Sequence, residues 1–335
     1  MFASRASTLL LAFSGLVALL APARASAQHR SLGLLVTEEG SPLYRLGLTP
    51  VAESADPVAR GHVQLELWSG YSNIFEQDST RSHVLFLDLE RLINTVTVRV
   101  GAARGLEVGA RLGLETSWGG FLDGFLSGFH ETVGFGNANR ERFPNGVYRQ
   151  ELDDGDGKVL LDVPQRTFHP VDVRIFGKWR FLGSAGDRRV ASLRVVGRLP
   201  VSSNLAGEER ADVGVMAATR LSSGPWHVHS TVGVLTSFAA PSPDAILRQR
   251  AFLFLVGLER NLGARWSGVV EFNAQTPRVR SFDGTELDGL PGDFVFGVVG
   301  LLGRHWKVDV SFQEDIPPGS PAVDFTAGLR ISRIW

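Results

Sequence analysis

The sequence predicts an all-β protein: a transmembrane antiparallel β-barrel of about 12 strands with a long, partly helical, plug-like loop. Three observations predict it. From residue 62 onward, apolar and polar residues alternate in runs of roughly ten residues. The connections between these runs alternate between short and long, and tryptophans cluster at the short connections. Because successive side chains on a strand point to opposite faces, each run has one apolar and one polar face.

The first 27 residues have the features of a secretory signal peptide. Arg5 precedes an apolar run over 9–20, and Ala25-Ser26-Ala27 forms an Ala-x-Ala cleavage pattern. The run is shorter than the roughly 20 residues that a membrane-spanning helix needs, so an N-terminal anchor is the less favoured alternative. We expect export, then a plug or periplasmic segment over 28–60 and a barrel over 61–335, in the cell outer membrane of a Gram-negative bacterium.

Composition excludes several classes of protein. The chain has 34 Lys and Arg against 35 Asp and Glu, and this balance argues against nucleic acid as a partner. It has no Cys, which excludes disulfides, thiolate metal sites and a Cys nucleophile. After the signal peptide no segment has about 18 consecutive apolar residues, so a helical membrane protein is not expected. A soluble exported protein or an outer-membrane barrel remains.

The alternating runs define twelve strands. An even number returns both ends of the barrel to the periplasmic side. Splitting the second strand and adding 32–37 gives the alternative of fourteen. The twelve strands are expected near 62–72, 83–101, 106–116, 168–181, 188–199, 211–221, 226–236, 250–259, 265–275, 293–302, 305–314 and 323–335.

Five tryptophans favour a membrane barrel over a soluble β-sandwich. Each lies on the apolar face of a strand next to a short connection or at the chain end, as in the aromatic girdle of a membrane interface. The last strand ends on an aromatic residue and resembles the C-terminal assembly signal of bacterial outer-membrane barrels. The expected partners are therefore outer-membrane lipid and the outer-membrane assembly machinery. The girdle residues are Trp179, Trp226, Trp266, Trp306 and Trp335.

The polar faces are expected to line the lumen. Acids and bases are nearly balanced there, which is compatible with a narrow polar pore or with a salt-bridged lumen that nothing passes. The expected lumen-lining residues are Glu66, Arg99, Glu107, Arg111, Glu115, Asp172, Arg174, Lys178, Arg194, Arg198, Asp212, Arg220, His227, His229, Glu271, Lys307 and Asp309.

Two strands are apolar on both faces. Leu253 and Leu255 face opposite to Phe252 and Phe254, and the strand containing Val299 shows the same pattern. One face meets lipid, so the other should meet something apolar inside the barrel. The candidates are the loop over 119–135, the segment over 28–60, or a hydrophobic ligand.

The connection over 117–167 is too long for a simple loop. Phe121, Phe125 and Phe129 recur every four residues, which predicts an amphipathic helix that plugs the lumen.

The opposite face of this helix carries Asp123, Ser127 and His130. A Ser/His/Asp set suggests a hydrolase, but residues on one straight helix seldom reach the required geometry. The Gly-x-Ser-x-Gly elbow is also missing. These three are the only catalytic candidates, and an enzyme is the less favoured expectation.

Metal and cofactor signals are weak. Asp154 and Asp156 lie in an acidic, glycine-containing turn that lacks the full calcium-loop spacing. His227 and His229 share a face but have no identifiable third ligand. We expect no cofactor and no firm metal site.

The second strand and the long loop also carry a family resemblance. Asp88-Leu89-Glu90, the run 119–125, Gly128-Phe129-His130, Arg140 and Asn145 resemble an uncharacterised family of proteobacterial outer-membrane proteins catalogued as a domain of unknown function. The resemblance implies a barrel and no established activity.

These features favour a porin-like, passive channel or transporter for a small, possibly hydrophobic solute. An outer-membrane lipid hydrolase and a non-conducting scaffold or surface-binding barrel are the alternatives.

Overall fold

Twelve antiparallel strands close into a ring in this computed structural model. The first strand pairs with the second on one side and with the last on the other, so the sheet has no free edge within the ring. The structure describes residues 30–38, 40–49, 51–80, 83–133, 142–154, 159–162, 165, 167–201, 211–238, 248–277, 290–315 and 325–335. The predicted all-β barrel of about 12 strands is confirmed.

The ring strands differ in length, and the first two extend well beyond their neighbours on the long-loop side. The ring is formed by β1 (Val63–Ser79), β2 (His83–Ala103), β3 (Leu106–Trp118), β6 (His169–Leu182), β7 (Arg189–Pro200), β8 (Asp212–Ser223), β9 (Trp226–Ser237), β10 (Arg250–Asn261), β11 (Trp266–Gln275), β12 (Gly292–Leu302), β13 (Trp306–Asp315) and β14 (Phe325–Ile334).

Two further strands form a short hairpin outside the ring. Strand β4 (Arg149–Asp154) pairs with the outer half of β2, and β5 (Val159–Asp162) pairs with β4. The alternative of fourteen ring strands is wrong, because β2 is one continuous strand and residues 32–37 form no strand.

Strand burial alternates as the sequence pattern requires. In β9, His227 and His229 are buried, whereas Val228 and Val232 are 42% and 52% exposed. The exposed apolar residues therefore form the outer face, and the polar residues face the lumen.

Both ends of the ring meet on the short-turn side. The Trp335 amide donates to the Val63 carbonyl oxygen at 2.9 Å, which closes the ring at its seam. The long connections lie on the opposite side, and one of them contains helix α1 (Asp123–Val133). Among the described helices, none has the length and apolar character needed to cross a bilayer.

The described residues of 30–59, which we call the lumenal segment, contribute much of the buried core. Leu35, Leu43 and Tyr44 are fully buried although they belong to no strand, and a single 3-10 turn covers Tyr44–Leu46. The interior of the barrel is thus filled by a chain segment and not only by wall side chains.

Candidate functional site in the barrel lumen

The lumenal segment enters and leaves the barrel on the short-turn side. At its start, the Arg30 carbonyl oxygen accepts a hydrogen bond from Asn261 Nδ2 at 3.0 Å. Further along, the Gly40 carbonyl oxygen accepts from Arg91 Nη1 at 2.9 Å, deeper in the lumen. Near its end, the Val58 amide donates to Glu107 at 2.7 Å, beside a short turn. The segment therefore forms a loop that rises into the lumen and returns.

Apolar side chains of this segment cover the strands that are apolar on both faces. Leu34, Leu35 and Ala52 form one cluster with inward-facing residues of three strands: Leu255, Val269, Val295 and Val299. Leu48 fills a second cluster with Phe176, Val196, Met216, Leu235, Ala251 and Leu253. The apolar occupant expected from the sequence is thus residues of the lumenal segment.

Glu53 is the centre of a buried ion-pair cluster. Its carboxylate accepts two hydrogen bonds from Arg99, at 2.9 and 3.1 Å, and lies 2.6 Å from both Lys178 Nζ and Arg194 Nη1. Burial raises the pKa of Glu53, but the charges of Arg194, Arg99 and Lys178 outweigh it and hold the pKa well below its usual range. Glu53 is therefore an anion that three wall cations compensate.

Glu38 forms a second cluster on the far side of the segment. It pairs with Arg111 Nη2 at 2.5 Å, Arg174 Nη2 at 3.3 Å and Arg45 Nη1 at 3.7 Å, and it is only 1% exposed. Asp56 adds a third contact near the short turns, 2.9 Å from Arg220 Nε. Acids of the segment thus bind bases of the wall at three separate levels.

Wall carboxylates bind the backbone of the segment in return. Glu259 accepts from the amides of Leu32 and Gly33, at 2.6 and 3.2 Å, and from the Ser31 hydroxyl at 2.6 Å. Likewise, Glu271 accepts from the Leu35 amide at 2.7 Å. These bonds supply partners for amides that no strand pairing satisfies.

The structure places the predicted lumen-lining residues around this segment. All are buried except Lys307, which is half-buried and donates to the Leu32 carbonyl oxygen. The others are Glu66, Arg99, Glu107, Arg111, Glu115, Asp172, Arg174, Lys178, Arg194, Arg198, Asp212, Arg220, His227, His229, Glu271 and Asp309.

Sequence reasoning missed four residues of this site. Glu38, Glu53 and Asp56 lie in a segment without periodicity, so no pattern assigned them to the lumen. Glu259 could have been found, because it shares its face of β10 with Leu253 and Leu255.

The predicted plug needs a correction. Phe121 and Phe125 are 74% and 64% exposed, and helix α1 does not supply the apolar residues that cover Leu255 or Val299. The Phe129 side chain lies outside the described residues. The prediction was wrong because a helical repeat of apolar residues shows that a helix is amphipathic, but does not show which apolar environment its apolar face contacts.

The catalytic candidates are placed on helix α1. Asp123 accepts from Asn73 Nδ2 at 3.0 Å and from the Gly146 amide at 2.8 Å, so its carboxylate fastens the loop. Ser127 is half-buried, and the His130 side chain lies outside the described residues.

The histidines considered as metal ligands contact other side chains in the described residues. His227 contacts Ser222 and Asn261, whereas His229 contacts Glu259. In the part of the chain that the structure describes, no three His, Asp or Glu side chains converge as a metal site. The Asp154 side chain and all of Asp156 lie outside the described residues.

The five predicted girdle tryptophans lie on the short-turn rim. Trp179, Trp266, Trp306 and Trp335 are 44–55% exposed, and Trp226 is half-buried. In contrast, Trp68 faces the lumen and packs against Val36 and Val51 of the segment.

A cavity of about 570 Å³ lies between the lumenal segment and the wall on the short-turn side. We call it the vestibule. Arg30, Arg304 and His305 at its mouth are exposed, and Lys307 lies deeper. It gives solvent a route to the part of the lumenal segment that lies near the short turns.

The profile of the family described as "Protein of unknown function (DUF3187)" matches residues 9–332. The chain belongs to this family. The resemblance drawn from the second strand and the long loop is thereby confirmed. Among curated proteins, none matches the chain.

Solved structures share the fold of this DUF3187 protein at low sequence identity. The COG4313 outer membrane channel from Pseudomonas putida F1 is 11% identical with a TM-score of 0.56, covering 86% of this chain and 100% of that one. The NanC porin is 7% identical with a TM-score of 0.48, covering 80% and 98% of the two chains. The KdgM porin in complex with disordered oligogalacturonate is 5% identical with a TM-score of 0.42, covering 81% and 98%. The likeness to the COG4313 channel shows that the DUF3187 chain has the fold of an outer-membrane β-barrel.

Proposed function

We propose that this protein is an outer-membrane channel for a small polar or charged solute, and that its lumenal segment closes the channel. The outward apolar face and the aromatic rim support the membrane location. The fold of an outer-membrane channel supports the transport role.

The size of the ring supports a passage. Eight strands leave an interior just filled by side chains, whereas twelve enclose a wider lumen. Here that extra space is occupied by the lumenal segment. A barrel that needed no passage could close its interior with fewer strands.

One observation carries the proposal: the lumenal segment makes no strand pairing with the wall in the described residues. Every ring strand pairs with its two ring neighbours, so the segment could leave while the closed sheet keeps its hydrogen bonds. What holds the segment is a set of ion pairs, side-chain hydrogen bonds to its backbone, and apolar clusters, and none of these belongs to the hydrogen-bonded sheet.

The wall left behind would be polar over most of its area. In the closed state Leu34 and Leu35 of the segment account for the apolar patch at Leu255 and Val299, so this patch does not require a hydrophobic solute. The remaining wall carries both signs of charge, which suits small polar or ionic solutes.

The test is single-channel recording in planar bilayers. A variant lacking residues 31–56 should conduct strongly, whereas the intact protein should conduct weakly or in brief openings. Heat-modifiable gel migration would verify that the variant still forms a barrel. A folded deletion variant without conductance would contradict the proposal and favour the non-conducting scaffold.

A matched control separates the segment from the loop helix. The double variant Phe121→Ser and Phe125→Ser changes the side chains first predicted as the plug. Because both are exposed outside the lumen, its conductance should equal that of the intact protein.

A further inference from the structure

We propose that helix α1 is an interfacial anchor whose phenylalanines lie in the outer leaflet of the membrane around the barrel. The inference does not depend on whether the lumen conducts. It rests on where the helix is fastened, on its height above the short turns, and on which side chains it exposes.

The start of helix α1 is fastened to the outer face of β1 and β2. Glu66 and Ser72 of β1 face the lumen, where they contact Arg330 and Thr326, so the odd-numbered residues of β1 face outward. Leu67, on that outward face, is 51% exposed. Asn73 lies on the same face, directly opposite Glu90 of β2.

Two buried carboxylates make the attachment. Glu90 accepts hydrogen bonds from the amides of Phe121 and Leu122, at 2.8 and 2.5 Å. Asp123, at the first position of the helix, accepts from Asn73 Nδ2 at 3.0 Å. Because Glu90 is fully buried and Asp123 is 3% exposed, these bonds are shielded from water. The helix is therefore held beside the barrel and not above its lumen.

The height of this attachment matches a membrane interface. Strand β3 runs for 13 residues from Leu106, beside the tryptophan rim, to Trp118. At about 3.3 Å per residue and a tilt of roughly 40°, it rises about 30 Å. An outer-membrane barrel has an apolar band about 25 Å tall with aromatic girdles on both sides. Trp118 is thus at the level of the second girdle.

Aromatic contacts make the surface continuous from the barrel wall to the helix. Tyr71 of β1 lies with its ring centroid 5.6 Å from that of Trp118 and 6.0 Å from that of Phe121. One turn further, Phe125 is 64% exposed. Aromatic rings at this depth are typical of the lipid headgroup region, so the occupant of this face is lipid.

Site-directed spin labelling tests the inference directly, because the chain has no cysteine to remove. Single cysteines at Phe125, Leu112 and Ser184 would carry a nitroxide in vesicles of phosphatidylethanolamine and phosphatidylglycerol. Leu112 lies mid-strand on the outer face, whereas Ser184 lies exposed in a short turn. Power-saturation measurements would compare collisions with oxygen, which prefers lipid, and with a nickel chelate, which prefers water.

The Phe125 label should favour oxygen over the chelate, as the Leu112 label does, and opposite to the Ser184 label. A Phe125 label that favours the chelate like Ser184 would overturn the inference. Phe121→Cys provides a second reading on the same surface, and heat-modifiable migration verifies that each labelled protein is folded. A Phe121 label that favours the chelate, as the Ser184 label does, would also overturn the inference if the barrel is folded.

Discussion

Glu53 and Arg99 form a bidentate ion pair inside the barrel, with Oε1 2.9 Å from Nη2 and Oε2 3.1 Å from Nη1. One residue belongs to the lumenal segment and the other to strand β2. A two-bond pair of this kind fixes orientation as well as distance. It therefore joins the two parts of the molecule that must separate if the lumen is to open.

Replacing Glu53 with Gln should loosen the closed state. Arg99 and Lys178 would lose Glu53 and keep Glu107, and Arg194 would lose the carboxylate that lies 2.6 Å from it. Breaking a buried pair costs about 3–5 kcal/mol. We expect more frequent or longer openings in planar bilayers and a lower urea midpoint for loss of heat-modifiable migration.

The matched control is Glu151→Gln. Glu151 pairs with Arg149 at 2.9 Å, but both side chains are about 40% exposed, where a pair contributes only about 0–1 kcal/mol. Its openings and its urea midpoint should match those of the intact protein. Equal effects of the two substitutions would show that the Glu53 cluster does not hold the segment.

The contribution of Glu53 should also have a defined pH dependence. Its pKa in the folded protein lies well below the ordinary value of 4.5, so its stabilisation is fully present above that ordinary value. It is lost only as the pH falls further, through the lowered pKa. The difference in unfolding free energy between the intact protein and Glu53→Gln should therefore stay constant from about pH 7 to about pH 5 and shrink in stronger acid. A difference that already collapses at about pH 6 would contradict this account.

Much of the barrel could be predicted from the sequence, because its signal is local. The alternation of polar and apolar residues in β9 can be recognised from neighbouring residues alone, such as His227 and Val228. Trp179 near the end of β6 and Trp266 at the start of β11 likewise indicate the rim, because each lies next to a short connection in the sequence.

The occupant of the lumen could not be predicted, because it depends on long-range contacts. Leu255 and Val299 indicate that something apolar lies inside the barrel, but neither residue identifies the segment that packs against it. Leu34 and Leu35 lie in an irregular segment, whose side chains follow no repeat. Phe121 and Phe125 do follow a helical repeat. A helix that packs against lipid and a helix that packs against a protein interior have the same apolar face, however, so the repeat does not distinguish them.

A larger side chain at Gly257 should displace the segment from the wall. A Cβ built at Gly257 would lie 2.5 Å from Leu34 Cδ2, so the wall is open there to admit Leu34. Gly257→Leu should push Leu34 away and increase conductance, while the pairing of β10 with its neighbours remains. Gly263→Leu is the control, because nothing lies within 4 Å of a Cβ at that exposed turn. Unchanged conductance in a folded Gly257→Leu variant would mean that Leu34 is not part of the closure.

The attachment of helix α1 should depend on Gly120 and not on Gly124. Gly120 has a φ of +83°, and a Cβ there would lie 2.1 Å from the Glu90 carboxyl carbon. An L-residue in the left-handed region costs about 1–2 kcal/mol before this clash is counted. Gly120→Ala should therefore release the Phe121 and Leu122 amides from Glu90 and lower the urea midpoint.

Gly124→Ala should act in the opposite direction. Gly124 lies within helix α1, and a Cβ there would meet only Asn145 Nδ2, at 3.6 Å. Alanine in a helix is favoured over glycine by about 1 kcal/mol, so this variant should be as stable as the intact protein or slightly more so. A nitroxide at residue 125 supplies the second measurement: it should move toward water in Gly120→Ala and stay in lipid in Gly124→Ala. If both variants behave alike, the hydrogen bonds to Glu90 do not position the helix, since only Gly120 lies against that carboxylate.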